Sequence, residues 1–379
     1  MSSALGRAYL RLLPERALRA SPFVAPGPAA HGTVLILTLV PPEDTGGGSR
    51  PAQLAAELYR RGFAIDWRYA LPIFPWPQHR RPELPALSVR FLGKAPNDAA
   101  IATSSPAFAL VEAPHPRLYE QLATLPHEVP VLYDAIDAWD GALGSGWYQA
   151  ATEDALALRA SQLIASSTLL RDELAQRAGR DVALIPNGVD LRVFDATVSH
   201  AAPADLRRGS PTVVYVGSLW GEWVDLDLVA AVARALPNAT FNLIGPAGSR
   251  RLPIAPNIAI LGPRPQREVA AYLRAADVAI VPFTTGRLTA AVSPLKAFEY
   301  LAMQRPVVAT PLPELEGVPG VTIADGVDAF AAAVRDAAVA IFPRAAASAF
   351  VARHTWQDRV DRLLDLLTGG ERIAAERKD

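Results

Sequence analysis

The sequence predicts an α/β protein of two parallel-sheet domains, and three observations carry that expectation. Short apolar runs rich in β-branched residues alternate with stretches of helical period along most of the chain. The alternation breaks at residues 196–210 (ATVSHAAPADLRRGS), which have no apolar period and read as a linker. The 379 residues, half of them hydrophobic, are enough for two ordinary domains with a core each.

Thr33–Val40 (TVLILTLV) is a continuous apolar run between His31–Gly32 and Pro41–Pro42, the pattern of a strand buried on both faces. The loop Gly46–Gly47–Gly48–Ser49 follows. A helix is expected over Pro51–Arg60, where Leu54 and Leu58 stand one turn apart. Gly62 ends it, and Phe63–Trp67 reads as the second strand of a βαβ unit. Phe108–Glu112, Val129–Ile136, Leu163–Ser166 and Val182–Ile185 read as further strands, with helices over Ala151–Ala160 and Thr168–Ala178. Pro186–Asn187–Gly188 is a turn signal.

Beyond the linker, strands are expected at Thr212–Val216, Phe241–Ile244, Ile258–Leu261, Val278–Val281 and Pro306–Ala309. Helices are expected at Asp225–Leu236, with Asp225 as N-cap, and at Gln266–Ala275, Pro294–Met303, Val327–Val339 and Trp356–Leu367. Right-handed crossovers place helices on both faces of each sheet, which makes both domains Rossmann-like. The expected division is an N-terminal extension over 1–30, a first domain over 31–195, a linker over 196–210, a second domain over 211–350, and a C-terminal helix over 351–379 that crosses back to the first domain. Ligands of such sheets bind at the carboxyl ends of the strands, so functional residues are sought in strand-to-helix loops facing a cleft.

A net charge of −1 argues against a general nucleic-acid binder, which needs a basic excess. Zero cysteines exclude disulfides, thiolate catalysis and Cys-ligated zinc. No apolar run is long enough to cross a bilayer. Arg7, Arg11, Arg16 and Arg19 lie among Leu and Ala near the N-terminus, which reads as an amphipathic helix or leader, with a membrane-surface anchor as the sharper alternative. The expected location is cytoplasmic, with peripheral contact at the inner membrane face as a variant.

Three loops carry chemistry. Gly46–Gly47–Gly48 follows the first strand and precedes a helix, where backbone N–H groups and the positive dipole end suit a phosphate; a plain surface loop is the competing reading. Tyr133–Asp140 (YDAIDAWD) sets three carboxylates at the end of a buried strand, where one can take a proton from a hydroxyl; helix capping and loop solvation compete. No histidine stands nearby in sequence to favour a metal. Ser293–Tyr300 (SPLKAFEY) puts Lys296 in the first turn of a helix that Pro294 suits as a starter. A cation there is unfavourable without an anion, so a bound phosphate rationalises it. Glu299 lies on the same face and suits ribose hydroxyls, although a surface Lys–Glu pair is the plainer alternative. His115 follows a strand end between two prolines and is a lesser candidate for the cleft, and His354 reads as capping or packing. Trp139, Trp220 and Trp223 suit stacking on a sugar or base, although packing is the commoner role.

Ile185–Asp190 (IPNGVD), Val214–Gly217 (VYVG), Leu243–Pro246 (LIGP), Ser293–Ala302 (SPLKAFEYLA) and Arg305–Thr310 (RPVVAT) stand in order at domain-scale spacing. Together they resemble the C-terminal half of GT-B glycosyltransferases of family 4, closely over residues 160–320 and loosely over 31–140. The Tyr133–Asp137 stretch and Trp220–Trp223 further resemble a bacterial branch linked to surface-polysaccharide assembly. The resemblance implies transfer of a sugar from a nucleoside-diphosphate sugar to a sugar, lipid-linked or small-molecule acceptor, with no metal or other cofactor. Lys296 would face the diphosphate and Glu299 the ribose. Ser293, Pro294 and Leu295 would supply the phosphate-binding helix start, with Gly217 and Ser218 beside it. Arg264 would sit in the base-binding loop, and Gly47 and Gly48 would close over the diphosphate. Asp137 would hold the place of the catalytic His or Asp, with Asp134 in reserve. Two features depart from the family. The Ser218–Trp223 loop carries no base, so Arg287 is the expected substitute. Ala291 stands eight residues before Glu299 where a second glutamate is usual, which leaves a retaining mechanism without its usual acid pair. A nucleotide-sugar epimerase on the same fold and a non-catalytic nucleotide-sugar-binding subunit are the alternatives.

Overall fold

The computed structural model describes residues 30–42, 48–71, 87–92, 105–248, 252 and 255–376. The extension over 1–29, Gly46 and Gly47 lie outside them. Two compact units divide the chain: Met1–Pro186 with Val360–Asp379, and Asn187–Arg359.

The first unit runs β1 (Thr33–Thr38), α1 (Arg50–Arg60), β2 (Ala64–Tyr69), β3 (Leu87–Phe91), β4 (Phe108–Val111), α2 (Pro116–Ala123), β5 (Val131–Ala135), α3 (Ala150–Arg159), β6 (Gln162–Ala165), α4 (Thr168–Ala178) and β7 (Ala183–Leu184). All strands are parallel, in the order β3-β2-β1-β4-β5-β6-β7. β1, β4 and β5 are buried almost throughout rather than on alternate residues, as a sheet covered on both faces requires. The helix signals work as capping chemistry predicts: Ser167 accepts from Leu170 N–H at α4, and left-handed Gly179 (φ +63°) ends it.

The second unit runs β8 (Thr212–Val216), α5 (Leu226–Ala235), β9 (Thr240–Ile244), β10 (Ile258–Gly262), α6 (Gln266–Ala275), β11 (Val278–Val281), α7 (Arg287–Ala290), α8 (Leu295–Ala302), β12 (Val307–Ala309), β13 (Val321–Ile323), α9 (Val327–Val339) and α10 (Arg344–Ala352). Its parallel order, β10-β9-β8-β11-β12-β13, repeats that of the first sheet. In each sheet the order reverses beside the first strand, between β1 and β4 and between β8 and β11, which defines the switch point where such folds bind ligands. Asp225 caps α5 as expected, its Oδ1 accepting from Leu228 N–H at 2.8 Å.

Residues 196–210, read from sequence as a linker, lie inside the second unit. Arg207 N–H donates to Asn242 Oδ1 at 2.9 Å, Asn242 Nδ2 donates back to Arg207 O at 3.0 Å, and Ser210 N–H donates to Asn238 O at 2.8 Å. Polar anchoring of this kind leaves no hydrophobic period. α11 (Trp356–Glu376) begins in the second unit and, from Val360, belongs to the first. There Arg362 donates to Leu184 O at 2.8 Å and Gln162 to Leu366 O at 3.2 Å. The elements that the sequence hid are short or open with proline: α2 starts at Pro116, and the three residues of β13 are only partly buried.

Gly217 and Gly245 end β8 and β9 with φ +149° and +150°. A Cβ on Gly245 would stand 1.9 Å from Gly217 O, so the two loops meet only because both residues lack one. Gly245→Ala is expected to cost about 2–4 kcal/mol, read as a lower denaturation midpoint of the second unit.

Candidate functional site

In the second unit the motif residues converge on the β8 side of the switch point. Asn187 of the IPNGVD motif is a brace: its backbone N–H donates to Ser293 Oγ at 3.1 Å and its side chain donates to Ser293 O at 2.7 Å. This fixes the residue before Pro294, the N-cap of α8. Gly188 lets the chain close on residues 354–356; a Cβ there would stand 2.9 Å from the Thr355 carbonyl carbon. Tyr300 hydroxyl accepts from Val216 N–H at 2.8 Å and so ties α8 to the end of β8.

Lys296, half-buried, lies in the first turn of α8, where the N–H groups of Leu295 and Lys296 have no intrahelical acceptor. No acidic residue shares that turn. Its ammonium is not paired with Glu299. It lies 4.3 Å from the centroid of the Phe283 ring and 5.2 Å from that of Tyr215, against Gly217, where a Cβ would stand 3.2 Å from Nζ. Burial lowers the Lys296 pKa to about 8, and Glu299 opposes the shift. Glu299 is buried and accepts from Gln266 Nε2 at 2.9 Å. Burial raises its pKa to about 7, with Gln266 and Lys296 pulling it down. Ser218 follows Gly217, and its carbonyl accepts from Tyr215 hydroxyl at 3.2 Å.

Two expected donor-side arginines stand differently. Arg264 is engaged within the unit: it donates to Tyr272 hydroxyl at 2.9 Å and to Pro263 O at 2.9 Å, and it pairs with Asp205. Its guanidinium thus builds the loop after β10. Arg287 is exposed at the first position of the short α7. Ala291 is fully buried, so the place of the missing glutamate is filled by packing. His354 packs, as its sequence position suggested, against Phe350 and Phe298. Trp220, 51% exposed, meets Trp223 edge to face at 4.9 Å.

In the first unit the candidates gather at the carboxyl ends of β1, β4 and β5. Asp134, 0% exposed, is held by Arg50 through both oxygens, at 2.7 and 3.1 Å. Burial pushes its pKa up and Arg50 pulls it down. With both oxygens occupied, Asp134 is a structural partner of α1 and not a reserve base. Asp137 is half-buried just beyond β5, and burial raises its pKa to about 7, within reach of base catalysis. His115 is the N-cap of α2: its Nδ1 accepts from Arg117 N–H at 3.2 Å, and its ring lies 5.1 Å from that of Trp147. Burial and Arg117 lower its pKa to about 4, so it is neutral. Gly48 leads into Ser49, the N-cap of α1. The expected role of Gly47 lies outside the described residues. Among the described residues no group of three His, Asp or Glu is placed to hold a metal ion, and no helix is long and apolar enough to cross a membrane.

Sequence reasoning missed Gln266, the two rings against Lys296, Arg50 and Glu112. Arg50 left a trace, as the first basic residue after the Gly-rich loop. The others are ordinary core or helix residues in sequence, and only the fold brings them to the site.

Two parallel Rossmann-like units with these loops define a GT-B fold. Residues 210–338, within the second unit, match the family described as glycosyl transferases group 1. Over 166 residues the chain is 31% identical to a Bacillus subtilis (strain 168) protein assigned to teichuronic acid biosynthesis as glycosyltransferase TuaH. The match covers 41% of this chain and 41% of that protein, so the chain spans about two fifths of its relative's length. Among solved structures, sucrose-phosphate synthase from Thermosynechococcus elongatus is similar with a TM-score of 0.63 and 17% identity, over 90% of this chain and 100% of that one. Anabaena HepE in complex with UDP-glucose is similar with a TM-score of 0.65 and 16% identity, over 89% and 99%. These two likenesses are of fold.

Asn187→Ala is expected to cost about 1–2 kcal/mol through the lost bond to Ser293. The drop in the melting temperature of the second unit checks it.

Proposed function

We propose that the chain is a glycosyltransferase that moves a sugar from a nucleoside-diphosphate sugar to an acceptor hydroxyl in the assembly of a surface polysaccharide. The observation that carries this reading is the Lys296 ammonium. It is held without a carboxylate partner at the start of α8, beside Gly217 and the β8 switch point. A cation stored against a positive helix end is unfavourable until an anion arrives. A diphosphate satisfies both the ammonium and the helix N–H groups. The surface-polysaccharide assignment draws on the relative in teichuronic acid biosynthesis, and the nucleotide-sugar on the UDP-glucose held by HepE.

In this mechanism the second unit holds the donor. Glu299, steadied by Gln266, receives the ribose hydroxyls. Lys296 and the N–H groups of Leu295 and Lys296 stabilise the charge that develops on the departing diphosphate, without a metal ion. Asp137 of the first unit takes the proton of the acceptor hydroxyl, which attacks the anomeric carbon. The acceptor is a sugar, free or lipid-linked.

A thermal-shift panel of UDP, GDP, ADP, dTDP and CMP tests the donor site, since a ligand of the folded state raises the melting temperature. One nucleoside diphosphate is expected to stabilise the wild type and not Lys296→Ala, and that variant is expected to lose about 10²–10³ in turnover. No stabilisation by any of the five, or near-normal turnover in Lys296→Ala, would sink the reading.

The pH profile of kcat/KM follows from the two shifted groups. Asp137 acts deprotonated, so the rate rises with pH through about 7; Lys296 acts protonated, so the rate falls above about 8. Asp137→Asn is expected to lose about 10²–10⁴ in kcat and the acidic limb with it.

A further inference from the structure

Among the described residues of the first unit, Ser49 Oγ, both carboxyl oxygens of Glu112 and Trp139 Nε1 are buried without a well-formed hydrogen bond. Each lies in a different strand-to-helix connection. Ser49 stands between β1 and α1, Glu112 directly follows β4, and Trp139 follows β5. These three strands are consecutive in the sheet, and the switch point lies among them. Buried polar groups are almost always satisfied, so orphans gathered at the carboxyl end of one sheet point to an absent hydrogen-bonding group.

Glu112 is the strongest of the three. It is 0% exposed. The groups that act on it are Arg50, Asp134, Asp137 and Thr38. Burial first, and then the charge of Asp134, push its pKa well up, against Arg50 and a hydrogen bond with Thr38, and so favour its protonated form. A neutral carboxyl offers one O–H donor and one carbonyl acceptor, whereas the ionised Asp137 only accepts. The two acids are therefore complementary toward a hydroxyl.

We propose that Glu112 is an acceptor-binding residue: its carboxyl holds the oxygen of the acceptor sugar hydroxyl while Asp137 faces that hydroxyl's proton. This rests on the glycosyltransferase reading above. In the transfer step the hydroxyl oxygen bonds to the anomeric carbon, and its proton passes to Asp137. The nucleoside diphosphate leaves with the electrons of the broken bond, and Glu112 keeps its own proton.

The test compares Glu112→Leu and Glu112→Gln in the full chain. The readouts are melting temperature, stabilisation by the nucleotide that the panel selects, donor hydrolysis to water, and transfer to glucose as the probe acceptor. Replacing an unsatisfied buried acid by an apolar side chain is neutral or stabilising for folding. The Leu variant is therefore expected to melt at or above the wild type and to bind nucleotide normally. It is expected to lose about tenfold or more in hydrolysis and transfer, while the Gln variant, which keeps a neutral donor and acceptor, stays within about threefold. Wild-type turnover in the Leu variant overturns the role of Glu112, as does a lowered melting temperature in both variants with equal loss of activity. The two failures are distinct: a wild type that no nucleotide stabilises overturns the transferase reading itself, whereas unchanged turnover in the Leu variant overturns only Glu112.

Discussion

The second unit is organised around one unneutralised charge. Lys296 could have paired with Glu299 three residues on, but the fold separates them: Glu299 turns to Gln266, and the ammonium lies over the rings of Phe283 and Tyr215. Aromatic faces attract a cation without neutralising it. The glycine at 217 leaves room for the ammonium, the glycine at 245 lets the neighbouring loop close behind, and Asn187 and Tyr300 fix the helix that carries the lysine. Much of what the motif residues do is to keep that charge in place.

The first unit handles acids in the opposite way. Three carboxyl groups lie at the carboxyl ends of the adjacent strands β4 and β5, and each meets a different environment. Asp134 is tied to Arg50, Glu112 is fully buried, and Asp137 is only half-buried. Environment, not residue type, separates them: one is salt-bridged, and burial raises the pKa of the other two. Arg50 grips Asp134 through both carboxylate oxygens and also pulls down the pKa of Glu112.

The fold was legible because parallel strands buried on both faces leave continuous apolar runs, such as Thr33–Val40, that no surface element imitates. The helix cap Asp225 was legible from its own residue type before an apolar helical stretch. The stretch at 196–210 was not, because its backbone N–H groups donate to Asn242 Oδ1 and Asn238 O, and such bonds have no period. At the site, Lys296 and Glu299 were visible as a motif, but their relation was not: sequence spacing suggested a pair, and packing gave each a different partner. Glu112 looked like the end of a strand because nothing local marks a carboxyl whose partners are missing.

The chain path has a temporal consequence. The first unit is built from residues before Asn187 and from α11 residues after Arg359, with the second unit between them. A ribosome therefore finishes the whole second unit before it makes Arg362 and Leu366, which bind the β6–β7 edge of the first sheet. The residues of the second unit are all made first, while the first unit waits with that sheet edge open until the last described helix is made.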